Sequence, residues 1–250
     1  MPIKYRDDED LVFLKDCDQD DLKVLVDILA FTKSGRKRFN QDLAEEREFK
    51  LCNGDYRKVW DLIAGEFQLY GGDSIINLAR RGYGVPYRKI LIDVCKKMRV
   101  NFNKNSTTDK IEMNLVMKVV EDALEKMSDD EKRELVREMK LEVEQVTTQV
   151  IIAALQAAIR TAGFRAYQLA LIIANAISRA LLSRGLAIAG NAGLMRAMAL
   201  FAGPIGIFTN VVLAIPLLTG PAYRVTIPAT IQVAYMRQKM FHGTEDAGTK

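Results

Sequence analysis

The chain has 250 residues, 49% of them hydrophobic and 27% charged, with 36 Lys+Arg against 32 Asp+Glu. Those values exclude a disordered chain and leave room for one large or two modest domains around a sizeable core. Three separated cysteines (Cys17, Cys52, Cys95) without CxxC spacing argue against a disulfide framework, and a single histidine, His242, excludes the usual zinc sites.

A mean hydropathy of −0.03 conceals a sharp division. Met1 to Glu144 carries 27 Lys+Arg and 30 Asp+Glu, whereas Gln145 to Thr244 carries eight Lys+Arg and no carboxylate. The opening "MPIKYRDDEDLVFLKD" is acidic and has no apolar h-region, so no signal peptide is expected and the first half should fold in the cytosol.

Helical periodicity dominates from the start. Asp18 to Phe31 places Leu22, Leu25, Val26 and Leu29 on one side. Asp55 to Tyr70 does the same with Val59, Leu62, Ile63 and Phe67, and Gly71-Gly72 supply an expected left-handed stop. Asp73 is expected to cap a short helix, Ser74–Arg81, which Gly82 ends. Pro86 opens the next helix, whose apolar face runs Ile90, Leu91, Val94, Met98 and makes Cys95 a buried small hydrophobe. "VNFNKNSTTDK" (Val100–Lys110) is a polar connection, and Ile111, Leu115, Val119 and Ala123 then form the stripe of another helix.

Ser128 and Glu131 have capping-box spacing. No proline or glycine follows before Ala162, so one helix of 35 residues is possible unless it breaks near Thr147-Thr148. Its first half is amphipathic; its second, "VIIAALQAAI", is apolar on every face. Beyond it lie the glycine-punctuated apolar stretches Phe164–Ser183, Leu186–Phe201 and Ile205–Leu218. "YRVTIPA" (Tyr223–Ala229) alternates like a short strand, although Pro228 is equally suited to start a last helix, Ala229–Met240. The end is a frayed tail.

Motifs for catalysis are weak. Gly72-Asp73-Ser74 begins the nucleophile signature of GDSL hydrolases, but His242 is the chain's one histidine, and a helical pattern rather than a strand precedes the motif. A serine hydrolase centred on Ser74 is therefore the minor alternative to a non-enzyme. No phosphate-binding glycine loop occurs. The acid clusters Asp7–Asp10 and Asp18–Asp21 lack EF-hand spacing and read as charge at helix N-termini. Basic groups are small and interleaved with acids, against nucleic-acid binding. No cofactor, metal or small-molecule substrate is indicated.

The apolar half carries the functional question. Ala197–Tyr223 is 27 uncharged residues between Arg196 and Arg224, long enough for a hydrocarbon core of about 30 Å. Pro204 and Pro216 favour a hairpin that dips into the membrane over a plain span. The contact set is Phe201, Ile205, Ile207, Phe208, Val211, Val212, Leu213, Ile215, Leu217 and Leu218. Basic residues without acids suit an anionic lipid surface. A soluble bundle whose core this region forms, and a soluble form that releases the hairpin at a membrane, remain open beside it.

"LIAGEFQLYGGDSI" (Leu62–Ile75), "YRKILIDVCKKM" (Tyr87–Met98) and "AYRVTIPA" (Ala222–Ala229) resemble signature blocks of the YaaW family of uncharacterised bacterial proteins. "YRDDEDLVFLKDC" (Tyr5–Cys17) resembles the short domain that begins many of its members. The middle of such proteins is often assigned to the ubiquinol–cytochrome c chaperone group, which implies a non-enzymatic helper near membranes. The family has no established catalytic residues; its motif positions here are Gly65, Gly71, Gly72, Asp73, Tyr87, Arg88, Tyr223, Arg224 and Pro228, read as turn, cap and packing residues.

The expectation is an all-α multi-helix bundle with a glycine-punctuated apolar C-terminal region. Its parts are a helical subdomain (1–105), amphipathic linking helices (106–144), an apolar basic region (145–241) and a tail (242–250). The expected function is non-enzymatic, membrane-associated and chaperone-like, in assembly or stress protection, at the cytoplasmic side of the inner membrane. Anionic lipid is the expected partner, with a protein client or a second copy possible. A membrane-permeabilising effector is the alternative.

Overall fold

The computed structural model describes residues 3–31, 43–71, 83–138, 141–162, 170–171 and 223–242. These residues form an all-α fold; the only strand-like pairing among them is a single parallel bridge between Lys4 and Tyr83. The helices are α1 (Gln19–Ala30), α2 (Arg47–Leu51), α3 (Trp60–Tyr70), α4 (Tyr87–Lys97), α5 (Thr108–Leu124), α6 (Asp129–Glu138), α7 (Thr148–Ala162) and α8 (Tyr223–His242), with short 3-10 turns at Val12–Asp16, Leu43–Glu45 and Tyr56–Val59.

The helical stripes of the sequence become the core. Leu22, Leu25, Val26 and Leu29 of α1 are buried, as are Ile90, Leu91, Val94 and Cys95 of α4 and Ile111, Leu115, Val119 and Ala123 of α5. α8 lies along α1 and also packs on α3, α4 and α5. It is buried on every side from Val225 to Ala234, so the helix that follows the uncharged stretch shares one core with the helices of the first 124 residues.

Four local expectations are corrected. α8 begins at Tyr223, so "YRVTIPA" is neither a strand nor a lead-in, and Pro228 sits inside the helix. An internal proline costs a helix on the order of 3 kcal/mol; burial of Val225, Ile227, Ala229, Ile231 and Val233 on surrounding helices outweighs it. His242 closes α8 and is not part of the tail. Gly71 has φ −77°, so it is not itself a left-handed residue, and Gly72 lies outside the described residues. The lack of a Cβ on Gly71 serves packing instead, because a Cβ there would come within 2.3 Å of Ile90 Cγ1. Pro86 is the residue just before the first turn of α4 rather than within it.

The long charged segment is two helices. The capping box forms as spaced: the Ser128 amide donates to Glu131 Oε2 at 2.6 Å and the Glu131 amide to Ser128 Oγ at 3.4 Å. The break comes before Thr147, whose Oγ1 accepts from the Val150 amide at 3.3 Å and so starts α7. α7 packs on α5 and buries Ile151 and Leu155 while Ala153, Gln156 and Ala157 face outward.

Candidate functional site

The site is built around the N-terminal segment where α3, α4, α5 and α8 converge on it. Gln68 of α3 is fully buried and stands in for a strand neighbour: its Oε1 accepts from the Arg6 amide at 2.8 Å, and its Nε2 donates to the Arg6 carbonyl at 2.9 Å. Nε2 also reaches Asp8 Oδ2 at 3.2 Å. That carboxylate oxygen accepts from the Tyr87 amide at 2.6 Å, so Asp8 caps α4 across 79 positions of sequence. Close approach is possible because glycines line the track. A Cβ on Gly65 would meet Ile3 Cγ2 at 2.7 Å, and one on Gly84 would meet the Gln68 carbonyl carbon at 2.1 Å.

Below this segment lies a buried Tyr–Glu–Arg lock. The Tyr87 hydroxyl donates to Glu112 Oε1 at 2.6 Å, and Arg237 Nε donates to both carboxylate oxygens at 3.1 and 3.0 Å. Arg237 Nη2 donates to the Asp10 carbonyl at 2.6 Å, and the guanidinium lies 4.5 Å from the Phe13 ring centroid. Burial pushes the Glu112 carboxyl above its ordinary range even though Arg237 and Tyr87 oppose that shift. Burial, and then the neighbouring Glu112 charge, push the Tyr87 phenol well above its ordinary value. Burial acts against the Arg237 charge, but Glu112 outweighs it and the guanidinium is held more firmly protonated. A second lock joins α8 to α1: Lys239 Nζ is 2.5 Å from Asp18 and 2.7 Å from Asp21.

Arg88, next to Tyr87, faces the other way. Its Nη2 donates to the Lys104 and Ser106 carbonyls at 2.9 and 2.6 Å, and its Nη1 to Thr108 Oγ1 at 3.0 Å, which pins the polar connection to the start of α5. Between that connection and the end of α8 lies a cavity of about 680 Å³.

The family-motif positions thus divide. Gly65 and Gly71 permit helix contacts, Tyr87 belongs to the lock, and Arg88 is a loop clamp. Tyr223 starts α8 under the Lys97 ammonium, 5.2 Å from its ring centroid; Arg224 is exposed and Pro228 is buried in the same helix. Gly72, Asp73 and the Ser74–Arg81 helix lie outside the described residues, as do all ten membrane-contact candidates from Phe201 to Leu218 and, apart from buried Ala170 and Leu171, the three apolar stretches. The residues that sequence reasoning missed are Asp8, Gln68, Glu112, Arg237 and Lys239. The usable signal was a glutamate in the apolar stripe of α5 and two cations in a region with no carboxylate of its own.

The lock's groups are spent on one another, and the cysteines are no better placed for chemistry. Burial raises the Cys17 and Cys95 thiols to about 12, which keeps them protonated and poor as nucleophiles at neutral pH. Among the described residues no three metal-ligating side chains cluster, and no helix is long and apolar enough to cross a membrane.

Two protein families match the chain. A domain of unknown function (DUF3944) matches residues 5–39, and the family described as ubiquinol-cytochrome C chaperone matches residues 55–230. A UPF0174 protein of Helicobacter pylori strain J99 is 43% identical over 246 residues, 98% of this chain and 96% of the relative. The UPF0174 protein YaaW of Escherichia coli strain K12 is 31% identical over 241 residues, 95% of this chain and 97% of the relative. No solved structure matches. The chain belongs to the UPF0174 family, of which YaaW is a member.

Proposed function

We propose that this UPF0174 protein is a non-enzymatic, chaperone-like assembly factor that works at the cytoplasmic face of the inner membrane. In this reading the helical body holds the apolar region against anionic lipid. The observation that carries it is the placement of α8. The uncharged run ends at Tyr223, which is also the first residue of a helix sunk in the core and tied down by Arg237–Glu112 and Lys239–Asp21. On the other side Ile151 and Leu155 of α7 are also buried in the body. Residues 172–222 are thus flanked on one side by buried Ala170 and Leu171 and on the other by the locked helix α8. They contain Arg179, Arg184 and Arg196 and no carboxylate, a composition suited to anionic headgroups. The match to a family described as a chaperone supports the assembly role.

The experiment is flotation of the full chain with anionic or neutral liposomes, beside a Phe208→Glu/Leu213→Glu variant checked for folding by circular dichroism. Flotation with anionic liposomes that the double substitution abolishes supports the reading. A folded chain that stays at the bottom of the gradient contradicts it. Entrapped dye should be retained; its release would favour the permeabilising alternative.

A further inference from the structure

Cys52-Asn53-Gly54-Asp55 joins α2 to the turn at Tyr56–Val59. Asn53 and Gly54 are both exposed, and both lie in the left-handed region, at φ 49° and 82°. The turn is held by its flanks. The Cys52 amide donates to the Glu48 carbonyl at 3.0 Å, and the Asp55 amide donates to the Cys52 carbonyl at 2.9 Å. No hydrogen bond among the described residues uses a polar atom of Asn53 or Gly54. Left-handed backbone is disfavoured for a residue with a Cβ, so Asn53 is not held there by its own preference. A Cβ built on Gly54 would meet nothing within 4 Å, so the dipeptide has room to rotate.

This arrangement leaves a carboxamide beside a free, unhindered backbone amide, the pair needed for ring closure. We propose that Asn53 is a site of spontaneous covalent modification. The Gly54 nitrogen gives its proton to hydroxide and forms a bond to Asn53 Cγ. The Cγ–Nδ2 bond breaks, and Nδ2 takes a proton from water and leaves as ammonia, which closes a succinimide and regenerates the hydroxide. Water then opens the ring at one of its two carbonyls. Opening at Cγ gives aspartate; opening at the backbone carbonyl gives isoaspartate, in which the chain runs through Cγ. Nothing is oxidised or reduced.

Either product places a carboxylate just past the C-terminus of α2, where the helix dipole disfavours negative charge. Isoaspartate also adds a methylene to the backbone between Cys52 and Asp55, so it opens the turn that their hydrogen bond closes. α2 is five residues long, and Glu46 at its start accepts the Ile3 amide at 2.8 Å. Conversion therefore loosens the seat of the N-terminal segment. Asn105 is the internal contrast. It too is exposed and precedes a small residue, but the Ser106 amide donates to the Asn103 carbonyl at 3.0 Å and is not free to attack. The inference is independent of the membrane reading above.

The test is incubation of the full chain at mildly alkaline pH, followed by peptide mass spectrometry, with and without urea. Isoaspartate is read by methyl transfer from S-adenosylmethionine with an isoaspartyl methyltransferase. Asn53 should convert within about twofold of its unfolded rate, because no native contact holds it, whereas Asn105 should slow about fivefold on folding because its attacking amide is bonded. In the converted protein, amide exchange over residues 47–58 should quicken by roughly tenfold while α4 and α5 interiors keep their protection. Asn53→Gln, which would have to close a larger and slower ring, should stay unconverted and keep slow exchange through the same incubation. The proposal is overturned if Asn53 converts only in urea, if it persists in the folded chain as Asn105 does, or if converted protein exchanges over residues 47–58 as the parent does.

Discussion

Arg237 and Glu112 stand 125 positions apart in the chain, yet the Arg237 Nε lies 3.1 and 3.0 Å from the two Glu112 oxygens in the centre of the protein. Removing one partner leaves the other charge buried without compensation, which costs about 3–5 kcal/mol. Glu112→Gln and Arg237→Met should each lower the urea midpoint accordingly. The double variant Glu112→Leu/Arg237→Met should lose much less than the two together, because the uncompensated charge is then gone. Additive losses in urea melts would show that the two side chains are not coupled.

Gly84 and Gly65 separate two kinds of glycine contact. A Cβ on Gly84 would strike the Gln68 carbonyl carbon and oxygen at 2.1 and 2.3 Å, and backbone cannot yield as a side chain does. On Gly65 the nearest atom is the Ile3 side chain at 2.7 Å. Overpacking of this sort costs about 1–3 kcal/mol. Gly84→Ala should sit at the upper end and Gly65→Ala at the lower, as read by denaturant melts; the reverse order would contradict the packing described.

Much of the fold was legible in the sequence because α1, α4 and α5 have stripes at helical spacing, and each stripe is buried. The Ser128–Glu131 box was legible because a cap is a local contact. What was not legible depends on partners far away. Pro228 in isolation argues for a helix start, and only the neighbours around α8 show why the helix runs through it. Glu112 interrupts the apolar stripe of α5 with no local partner, and only Tyr87 and Arg237, brought from far along the chain, satisfy it. By composition Arg237 and Lys239 belong to the basic complement suited to lipid, whereas they pair with carboxylates from the first half of the chain. The charge division between the halves is thus in part internal complementarity. The Gly72–Ser74 motif and the Phe201–Leu218 candidates lie outside the described residues, so those readings rest on sequence alone.

Alkaline pH should unfold the protein earlier than acid-labile pairs would suggest. Burial raises Cys17 and Cys95 from 9.0 to about 12, and burial with the Glu112 charge holds Tyr87 well above its ordinary value. A group whose folded value is raised contributes stability that is complete below its unfolded value and is lost as pH rises through the folded one. Stability should therefore decline from about pH 9 upward. In urea melts at pH 9 to 11, Cys95→Ala should remove up to about 1.4 kcal/mol per pH unit of that slope. An unchanged slope would mean that Cys95 does not titrate differently in the two states.

Arg88 holds the polar connection through the Lys104 and Ser106 carbonyls and Thr108 Oγ1. Lysine keeps the charge but not the fork. In Arg88→Lys, amide hydrogen exchange over residues 103–108 should quicken by roughly tenfold while α4 and α5 interiors keep their protection. Exchange that is unaltered in the connection would show that Arg88 does not clamp it.

The central claim is that a locked helical body presents an apolar region to lipid. Hydrogen exchange of the full chain, read peptide by peptide with and without anionic vesicles, tests it most directly. The account predicts new protection confined to residues 172–222, with Tyr87–Lys97, Thr108–Leu124 and Tyr223–His242 unchanged. Vesicles that leave residues 172–222 unprotected, or that expose α8 as the Arg237–Glu112 lock opens, would contradict it.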